Sequence, residues 1–370
     1  MKVHSRIFAI PIFLLAMIVT IYQALQPIYA FGPQNIALTD TAELTATNTY
    51  ALITEYSLPN EDSHPSSITS GPDGNIWFTE ILGEDPFSPY QIGKITVDGT
   101  VTEFAIPMDG SNSRSIVAGP DDALWFVESE LNKVAQISQS GVITEFVIPT
   151  ADSRPLSITA GPDDNLWFTE YNAHQIGRVT TTGTFTEYML PADIRLPTII
   201  TVGPDGKLWF TAGCDEDGHQ IGQITTGGVI SKFSIAADCS VWTVGSIVSG
   251  PDGNLWIVEQ NYWSAPSNNI IRMGTDGTYT RFNASGARDI TVGPQGNLWF
   301  TDDPGNQIGR ITTTGIITTI SVPTANSRPL NITTGPDNNI WFTEFDGNKI
   351  GKLTLPLLDE QLFLPTIIRD

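Results

Sequence analysis

Short apolar runs separated by turn-forming residues recur along the chain from about residue 53 onward. Between Arg154 and Pro191 the runs "PLSIT", "NLWFTE", "HQIGRVT" and "FTEYMLP" are rich in β-branched and aromatic residues, which predicts four short strands. The intervening "GPDD" and "TTGT" place Pro, Asp and Gly where tight turns need them. No segment after the N-terminal leader shows the apolar period of a helix, so the pattern predicts an all-β fold.

The Gly-Pro turn marks seven copies of this pattern, spaced 42 to 48 residues apart. Such a period fits one blade of a propeller, so we predict a seven-bladed β-propeller with four-stranded antiparallel blades. The turn glycines are Gly71, Gly119, Gly161, Gly203, Gly250, Gly293 and Gly335. Seven Trp residues share one repeat position, where each is expected to fill the space between neighbouring blades. They are Trp77, Trp125, Trp167, Trp209, Trp256, Trp299 and Trp341.

The two ends of the repeat array complement each other. The seventh copy stops at "KIGKLTL" (349–355) without a fourth strand, whereas the spare strand "ITEYSLP" (53–59) precedes the first copy. We therefore expect the N-terminal strand 53–59 to join the last blade and close the ring, which removes exposed sheet edges.

The N-terminal segment predicts export. A basic start is followed by the apolar run "IFAIPIFLLAMIVTIY" and small residues, the layout of a signal peptide in residues 1–30, or of an uncleaved anchor. Both alternatives give a secreted or extracytoplasmic protein. Residues 31–50 are interpreted as a linker, 51–356 as the propeller and 357–370 as a short tail.

The charge and the cysteines limit the partners and the chemistry. A formal net charge of -22 argues against nucleic acid, and against a membrane surface beyond the leader, since both reward basic residues. The chain has two cysteines, and an exported protein tends to oxidise such a pair. We expect Cys214 and Cys239, in loops on one face of the fourth blade, to form a disulfide.

The repeated "GPDGNLWFTE…NKIGRIT…G.ITEF.IPT..SRP..IT" pattern resembles the streptogramin B lyase (virginiamycin B lyase) family over roughly residues 53–355. The resemblance implies a seven-bladed propeller. It also implies a metal-assisted lyase that opens a cyclic depsipeptide antibiotic by elimination at its ester bond. That chemistry uses one His as general base, a second His, and carboxylates that hold Mg²⁺.

The family's histidines directly follow the Pro that opens the innermost strand, and this chain has none there. The seven corresponding positions hold Ser66, Arg114, Leu156, Thr198, Gly245, Arg288 and Leu330. His64, His174 and His219 occur elsewhere in the repeat, and a displaced base does not reach its proton. We therefore assign no catalytic residue. The sequence favours a ligand-binding or catalytically divergent protein, with a Mg²⁺-dependent lyase and a surface interaction scaffold as the alternatives.

Six of the seven copies end the "WFTE" strand in a carboxylate, at Glu80, Glu128, Glu170, Glu259, Asp302 and Glu344. A residue needed in nearly every blade is interpreted as scaffold, accepting hydrogen bonds from the loop that follows. The alternative is a Mg²⁺ or Ca²⁺ ligand, because hard cations favour oxygen. Glu259, Asp302 and Glu344 are the weak metal candidates, and no cofactor is certain.

The loops after the second and fourth strands share one face, which carries the long insertions and is the expected binding face. Trp242, Tyr262 and Trp263 break the repeat there, and they either stack on a ring-bearing ligand or pack the long loop onto its blade. Arg114 and Arg288 are expected near the channel mouth, where they bind an anionic ligand or neutralise the carboxylate rim. The expected partner is a small molecule, a peptide or a glycan.

Overall fold

The computed structural model describes residues 52–83, 90–107, 112–216, 218–235, 242–261 and 268–355, with only the backbone at 242, 243 and 261. The expected leader, linker and tail therefore lie outside the described residues. No helix in the described part of the chain is long and apolar enough to cross a membrane.

The described residues form seven four-stranded antiparallel sheets, which confirms the predicted propeller. One short 3₁₀ turn, Pro294–Gly296, interrupts the strands in the sixth blade. The strands are given from the innermost to the outermost of each blade. Blade 1 contains β2 (Pro65–Ser70), β3 (Ile76–Ile81), β4 (Tyr90–Ile95) and β5 (Val101–Ala105). Blade 2 contains β6 (Ser113–Ala118), β7 (Leu124–Glu128), β8 (Lys133–Ile137) and β9 (Ile143–Val147). Blade 3 contains β10 (Pro155–Ala160), β11 (Leu166–Glu170), β12 (Gln175–Val179) and β13 (Phe185–Met189).

The remaining blades follow the same order. Blade 4 contains β14 (Ile200–Val202), β15 (Leu208–Asp215), β16 (Gly218–Ile224) and β17 (Ile230–Ile235). Blade 5 contains β18 (Trp242–Ser249), β19 (Leu255–Asn261), β20 (Asn269–Met273) and β21 (Tyr279–Asn283). Blade 6 contains β22 (Ala287–Val292), β23 (Leu298–Asp302), β24 (Gln307–Ile311) and β25 (Ile317–Ser321). Blade 7 contains β26 (Pro329–Thr334), β27 (Ile340–Glu344), β28 (Lys349–Thr354) and β1 (Leu52–Ser57).

Blade 7 shows how the ring closes. Strand β1 pairs with β28 in antiparallel register along its whole length, from Leu52 opposite Thr354 to Ser57 opposite Lys349. The Tyr56 ring also stacks on the blade's buried Trp at a centroid distance of 5.7 Å. The predicted closure by the N-terminal strand is confirmed.

The repeated Trp lies between blades, as expected. Trp77, for example, is fully buried in a cluster with Ile116 and Phe126 of the next blade. Its indole Nε1 donates to Asp73 of the "GPD" turn at 3.0 Å, so the turn is tied to the core. The exception is blade 6, where Gln295 replaces this Asp and the buried Nε1 of Trp299 has no hydrogen-bond partner among the described residues.

A bulge in the innermost strand sets the direction of the residues that line the ring's centre. In blade 1 the pairing register shifts between Pro65 and Ile68. The Thr79 hydroxyl replaces the missing ladder contact by accepting the Ser67 N–H at 3.0 Å. In blades 3, 6 and 7 the equivalent Thr hydroxyl also donates to a carbonyl of the next blade's innermost strand. This "WFTE" threonine therefore joins adjacent blades around the centre.

Asparagine side chains bind the linkers that connect one blade to the next. Asn132, with a φ of 56°, donates from Nδ2 to the carbonyls of Ile148 and Thr150 at 3.3 and 2.9 Å. Its Oδ1 accepts from both the N–H and the hydroxyl of Ser153 at 2.8 Å. Asn306 makes the same four bonds between blades 6 and 7. These linkers lead directly into the innermost strands, so the asparagines help to position the central residues.

Candidate functional site

A cavity of about 400 Å³ lies at the centre of the ring and is lined by all seven blades, through residues in or directly before their innermost strands. Its wall contains every residue at the position that the sequence aligned with the family's histidines. These are Ser66, Arg114, Leu156, Thr198, Gly245, Arg288 and Leu330. The described lining of the cavity contains no His. Among the described residues, the seven positions therefore line the cavity without a His.

The residues that directly follow these seven along the chain form a second layer of the cavity wall, and most of them carry a hydroxyl group. Ser67, Ser115 and Ser157 each accept, through Oγ, a backbone N–H of the next blade at 3.2 to 3.3 Å. Asp289 stands at this position in blade 6, where "RDIT" replaces the common "SSIT" or "LSIT". The sequence reasoning missed this residue, although an alignment of the seven copies carries the signal.

Asp289 connects three blades at the cavity wall. Its Oδ1 accepts the Ser246 hydroxyl of blade 5 at 2.6 Å, and its Oδ2 accepts the Asn331 side chain and the Ile332 N–H of blade 7. Burial raises the pKa of Asp289 although these hydrogen bonds oppose the shift. Its side chain is still partly accessible from the cavity, so we treat it as a wall group whose oxygens are largely occupied.

Arg114 and Arg288 lie in the wall of the same cavity, as expected from the sequence. Arg288 Nη1 lies 3.3 Å from Asp303 Oδ2, which also lies 3.7 Å from Arg328 Nε. Arg114 is exposed, and no ion pair involves it among the described residues. The Arg288 guanidinium is therefore partly neutralised by Asp303, whereas the Arg114 guanidinium is available to a ligand.

Gln260, which follows the core carboxylate of blade 5, completes the wall. Its Nε2 donates to the Arg288 carbonyl at 2.9 Å, which joins blades 5 and 6 above the cavity. A Cβ on Gly245 would lie 2.5 Å from that nitrogen. A side chain at position 245 would therefore have to displace the end of the Gln260 side chain from this contact.

The three described histidines have structural contacts away from the cavity. His64 stacks on Phe345 with ring centroids 4.8 Å apart. His174, with a φ of 55°, replaces the linker-holding Asn in blade 3, and its Nδ1 accepts the Leu196 N–H at 3.1 Å. His219 is buried in β16 opposite Ile235. None of them is placed to act on a ligand in the cavity.

The carboxylates that end the "WFTE" strands are buried. Glu259 accepts from Asn269 and from two nitrogens of Arg281, and Asp302 accepts the Gly305 N–H of the following loop. The other four accept no hydrogen bond from any described residue, namely Glu80, Glu128, Glu170 and Glu344. The scaffold interpretation agrees with the burial. The expected hydrogen bonds from the following loop are therefore wrong for these four.

Each of these four glutamates faces a second Glu from the outermost strand. Burial, and next the repulsion from the neighbouring Glu, raise the pKa of Glu80 and Glu170 to about 8. In blades 2 and 7 the same two causes raise the pKa of Glu128 and Glu344 to about 7. The pairs are Glu80 with Glu103 in blade 1, Glu128 with Glu145 in blade 2, Glu170 with Glu187 in blade 3, and Glu344 with Glu55 in blade 7.

The metal candidates differ in how free their oxygens are. Glu259 is bidentate to Arg281 at 3.0 Å, and Asp302 is bonded to its loop. Glu344 lies beside Lys349 and Glu55. No three His, Cys, Asp or Glu side chains converge as a metal site within the described ranges. The cavity itself offers one carboxylate, Asp289, which is already hydrogen-bonded, so these residues do not fit the family's Mg²⁺ and we derive no step through that ion.

The remaining predicted residues fall mostly outside the described side chains. Trp242 begins β18, but its side chain, Tyr262 and Trp263 are not described, so their role stays a prediction. Cys214 lies on the extended strand β15, and not in a loop, because the insertion after Thr211 lengthens β15 and β16. Cys239 lies outside the described residues, and the disulfide also stays a prediction.

Comparisons with known proteins identify one family. The model described as the virginiamycin B lyase family matches residues 39–241, 87–283 and 245–361. The crystal structure of selenomethionine-substituted virginiamycin B lyase from Staphylococcus aureus is 35% identical, with a TM-score of 0.72 over 82% of this chain and 99% of that chain. A catalytically inactive variant of the same enzyme with quinupristin is 35% identical, with a TM-score of 0.73 over the same shares, 82% and 99%. A streptogramin B lyase structure is 33% identical, with a TM-score of 0.72 over 82% of this chain and 98% of that chain. No curated protein matches the chain. This chain belongs to the virginiamycin B lyase family.

Proposed function

We propose that this protein binds a small polar molecule bearing carboxylate groups in its central cavity and does not open streptogramin antibiotics. The observation that carries the proposal is the ring of seven residues around the cavity. Two positions of that ring hold Arg114 and Arg288, and no described residue of the cavity wall is a His. The cavity thus offers two cationic side chains, and none of its described residues is the imidazole base that the resemblance implied.

The chemistry of the wall supports an anionic ligand. Arg114 is exposed, and a guanidinium presents a planar fork of donors that matches a carboxylate. The second layer adds hydroxyl groups, among them Ser67, Ser115 and Ser157. The formal net charge of -22 repels anions from most of the surface. A ligand of this class therefore finds its favourable contacts inside the cavity rather than elsewhere.

Lyase activity is the alternative, favoured by the 35% identity to the Staphylococcus aureus enzyme over 99% of that chain. Elimination requires a base within contact distance of the proton it removes. The cavity carboxylate, Asp289, accepts hydrogen bonds from Ser246, Asn331 and Ile332. A carboxylate occupied in this way is a poor substitute for an imidazole, so we rank this alternative second.

Calorimetry with linear dicarboxylates of increasing length tests the binding proposal. Succinate, glutarate, adipate and pimelate are expected to bind with an optimum length that reports the separation of the two guanidinium groups. Arg114→Ala and Arg288→Ala should each weaken binding by about ten-fold or more, since a charge-assisted hydrogen bond contributes roughly 1.5–3 kcal/mol. Arg195→Ala, which removes an exposed arginine outside the cavity, is the matched control. Equal weakening by all three variants, or no binding, contradicts the proposal.

Incubation with quinupristin and Mg²⁺, followed by mass spectrometry, tests the alternative. We expect the cyclic antibiotic to be recovered intact, because loss of a general base typically costs about 10²–10⁴-fold in rate. A linear product formed in proportion to enzyme, and abolished by a chelator, would establish a lyase with a different base and overturn our ranking.

We also propose that the protein acts outside the cytoplasm, on the basis of the basic and apolar pattern of residues 1–30. Mass spectrometry of the protein recovered from medium and membrane fractions tests this. A mature chain that begins near residue 31 supports cleavage and an intact chain in the membrane fraction supports an anchor, whereas recovery only from the cytoplasm contradicts export.

A further inference from the structure

The buried glutamates of the "WFTE" strands are neutralised in different ways in different blades. In blade 2, Lys133 lies opposite Glu128 in the ladder and its Nζ lies 2.5 Å from Glu145. Blade 7 repeats this arrangement, with Lys349 opposite Glu344 and its Nζ 3.0 Å from the outer-strand glutamate. A lysine ammonium therefore sits beside a pair of carboxylates in both blades.

In blade 5 the buried Glu259 is neutralised by an arginine of the outermost strand. That strand carries Arg281 where blades 1, 2, 3 and 7 carry the second Glu, opposite the third-strand residue Ile271. The guanidinium contacts Glu259 through Nε and Nη2, both at 3.0 Å. Among the described residues, a cation thus lies near the buried carboxylate in three blades, supplied from two different strands, and it contacts that carboxylate directly in blade 5 alone.

Blades 1 and 3 keep both carboxylates and lack the cation. Gln175 occupies the lysine position opposite Glu170, and Gln91 occupies it opposite Glu80. Among the described residues, no Lys or Arg forms an ion pair with either buried Glu. Both blades thus lack the positive charge of blades 2 and 7 at a defined position. In blade 1 the Asn60 amide donates there, to Glu103 Oε2 at 3.0 Å and to Gln91 Oε1 at 3.5 Å.

The contacts around Glu170 leave both of its oxygens unused. The residue is fully buried, and neither Oε1 nor Oε2 accepts a hydrogen bond from a described residue. The Ser153 hydroxyl lies beside it but donates its hydrogen to Asn132 Oδ1 at 2.8 Å. Glu187 accepts the Thr150 N–H at 3.0 Å through Oε1 only, and Gln175 Oε1 accepts the Thr150 hydroxyl at 3.4 Å. Glu187 and Gln175 are half-buried, so this group of oxygens is reachable from the solvent.

Two carboxylates held together away from water are costly without a positive charge, because burial and mutual repulsion both oppose ionisation. A cation held between the two carboxylates would offset both costs. The position of the ammonium in blades 2 and 7 shows that this place in the fold accommodates a cation.

We propose that Glu170, Glu187 and the side-chain oxygen of Gln175 form a calcium site in blade 3, with Glu80, Glu103 and Gln91 as its counterpart in blade 1. Calcium fits because the donors are all oxygens and the two carboxylates balance its charge. Its variable coordination also accepts bidentate carboxylates, backbone oxygens and water, whereas Mg²⁺ demands a near-ideal octahedron. The buried "WFTE" carboxylate is thus a scaffold residue in some blades and a metal ligand in these two.

Replacing the glutamines by the lysine of the other blades tests the proposal. The full chain is treated with a chelator, returned to buffer, and titrated with Ca²⁺ in a calorimeter. We expect two sites in the unaltered protein, one in Gln175→Lys, and none in Gln91→Lys/Gln175→Lys. The thermal midpoint of the unaltered protein should rise with Ca²⁺, whereas that of the double variant should be independent of it.

Lys133→Gln is the reciprocal variant and should create a third site in blade 2. It also keeps the proposal testable if Gln175→Lys does not fold. Unchanged stoichiometry in the lysine variants would overturn the proposal. So would Mg²⁺ binding as tightly as Ca²⁺, or a midpoint that responds to pH and not to Ca²⁺, which would identify a shared proton in place of the metal.

Discussion

Asn132 makes a quantitative prediction about how the linkers between blades are held. Its side chain makes four hydrogen bonds to the linker that leads into blade 3, to Ile148, Thr150 and twice to Ser153. A typical intramolecular hydrogen bond contributes about 0.5–1.5 kcal/mol net. Two of the four bonds share one acceptor oxygen, so we take the lower half of their sum. Loss of the side chain should then cost about 2–4 kcal/mol of the free energy of unfolding.

The backbone at Asn132 has a φ of 56°, so the choice of variant matters. Asn132→Gly removes the bonds without strain, and should show the full cost of the four hydrogen bonds. Asn132→Ala should cost about 1–2 kcal/mol more, because a Cβ disfavours this left-handed conformation. Asn132→His should be the mildest of the three, because His174 occupies the equivalent position with a φ of 55° and keeps one bond to the linker.

Urea unfolding monitored by tryptophan fluorescence measures these differences as shifts of the midpoint at unchanged slope. Asn338→Gly is the matched control, because Asn338 has a φ of 57° in a Gly-Pro turn rather than in a linker-holding position. It should change the free energy of unfolding by less than about 1 kcal/mol. If Asn132→Gly costs no more than Asn338→Gly, the four hydrogen bonds do not hold the linker and the reasoning is refuted.

Three further predictions follow from other features of the ring. Gln295→Asp should let the turn leave the φ of 65° at residue 295 for the conformation of the other blades and give the buried Trp299 Nε1 an acceptor. The expected gain is about 1 kcal/mol in the same urea assay; no gain would contradict this. In chelator, the thermal midpoint should fall as pH rises from about 5 toward 8, since Glu80 and Glu170 have a raised folded pKa of about 8 and bind protons that the unfolded chain has lost; a midpoint that rises over this range would contradict it. Deletion of residues 1–58 should remove β1, leave blade 7 with three strands and abolish cooperative unfolding by circular dichroism; a full cooperative transition would show that closure is dispensable.

The architecture was predictable because each local signal occurs seven times in register. The Gly-Pro turn, the buried Trp and the outer-strand hairpin give the strand count, and the leftover strand at 53–59 gives the closure. The seven residues around the cavity were also predictable, since one position in the repeat points to the ring's centre in every blade. Aligning the seven copies with one another thus gives the kind of information that an alignment of related proteins would give.

The electrostatic partners were not predictable from spacing in the chain. Glu170 and Glu187 are neighbours only because three strands pair in a definite register, in which Glu170 lies opposite Gln175, and Gly177 lies opposite Glu187. The role of Asp289 depends likewise on a bulge that turns the second layer toward the cavity. These contacts are long-range properties of the fold, so a sequence scan finds the residues without their partners.

The two ends of the propeller meet in blade 7, where the other blades have a hairpin between their third and fourth strands. Their position decides where another protein or a surface can be attached. Leu52 and Thr354 are ladder partners at the end of blade 7 where the other blades turn from their third to their fourth strand. The cavity mouth is on the opposite side, where Pro65 pairs with Glu80. A tether or fusion partner joined directly to Leu52 or Thr354 therefore starts on the side of the ring opposite the mouth. Joining the two ends by a short turn and cutting another Gly hairpin should likewise yield a circular permutant with the same site.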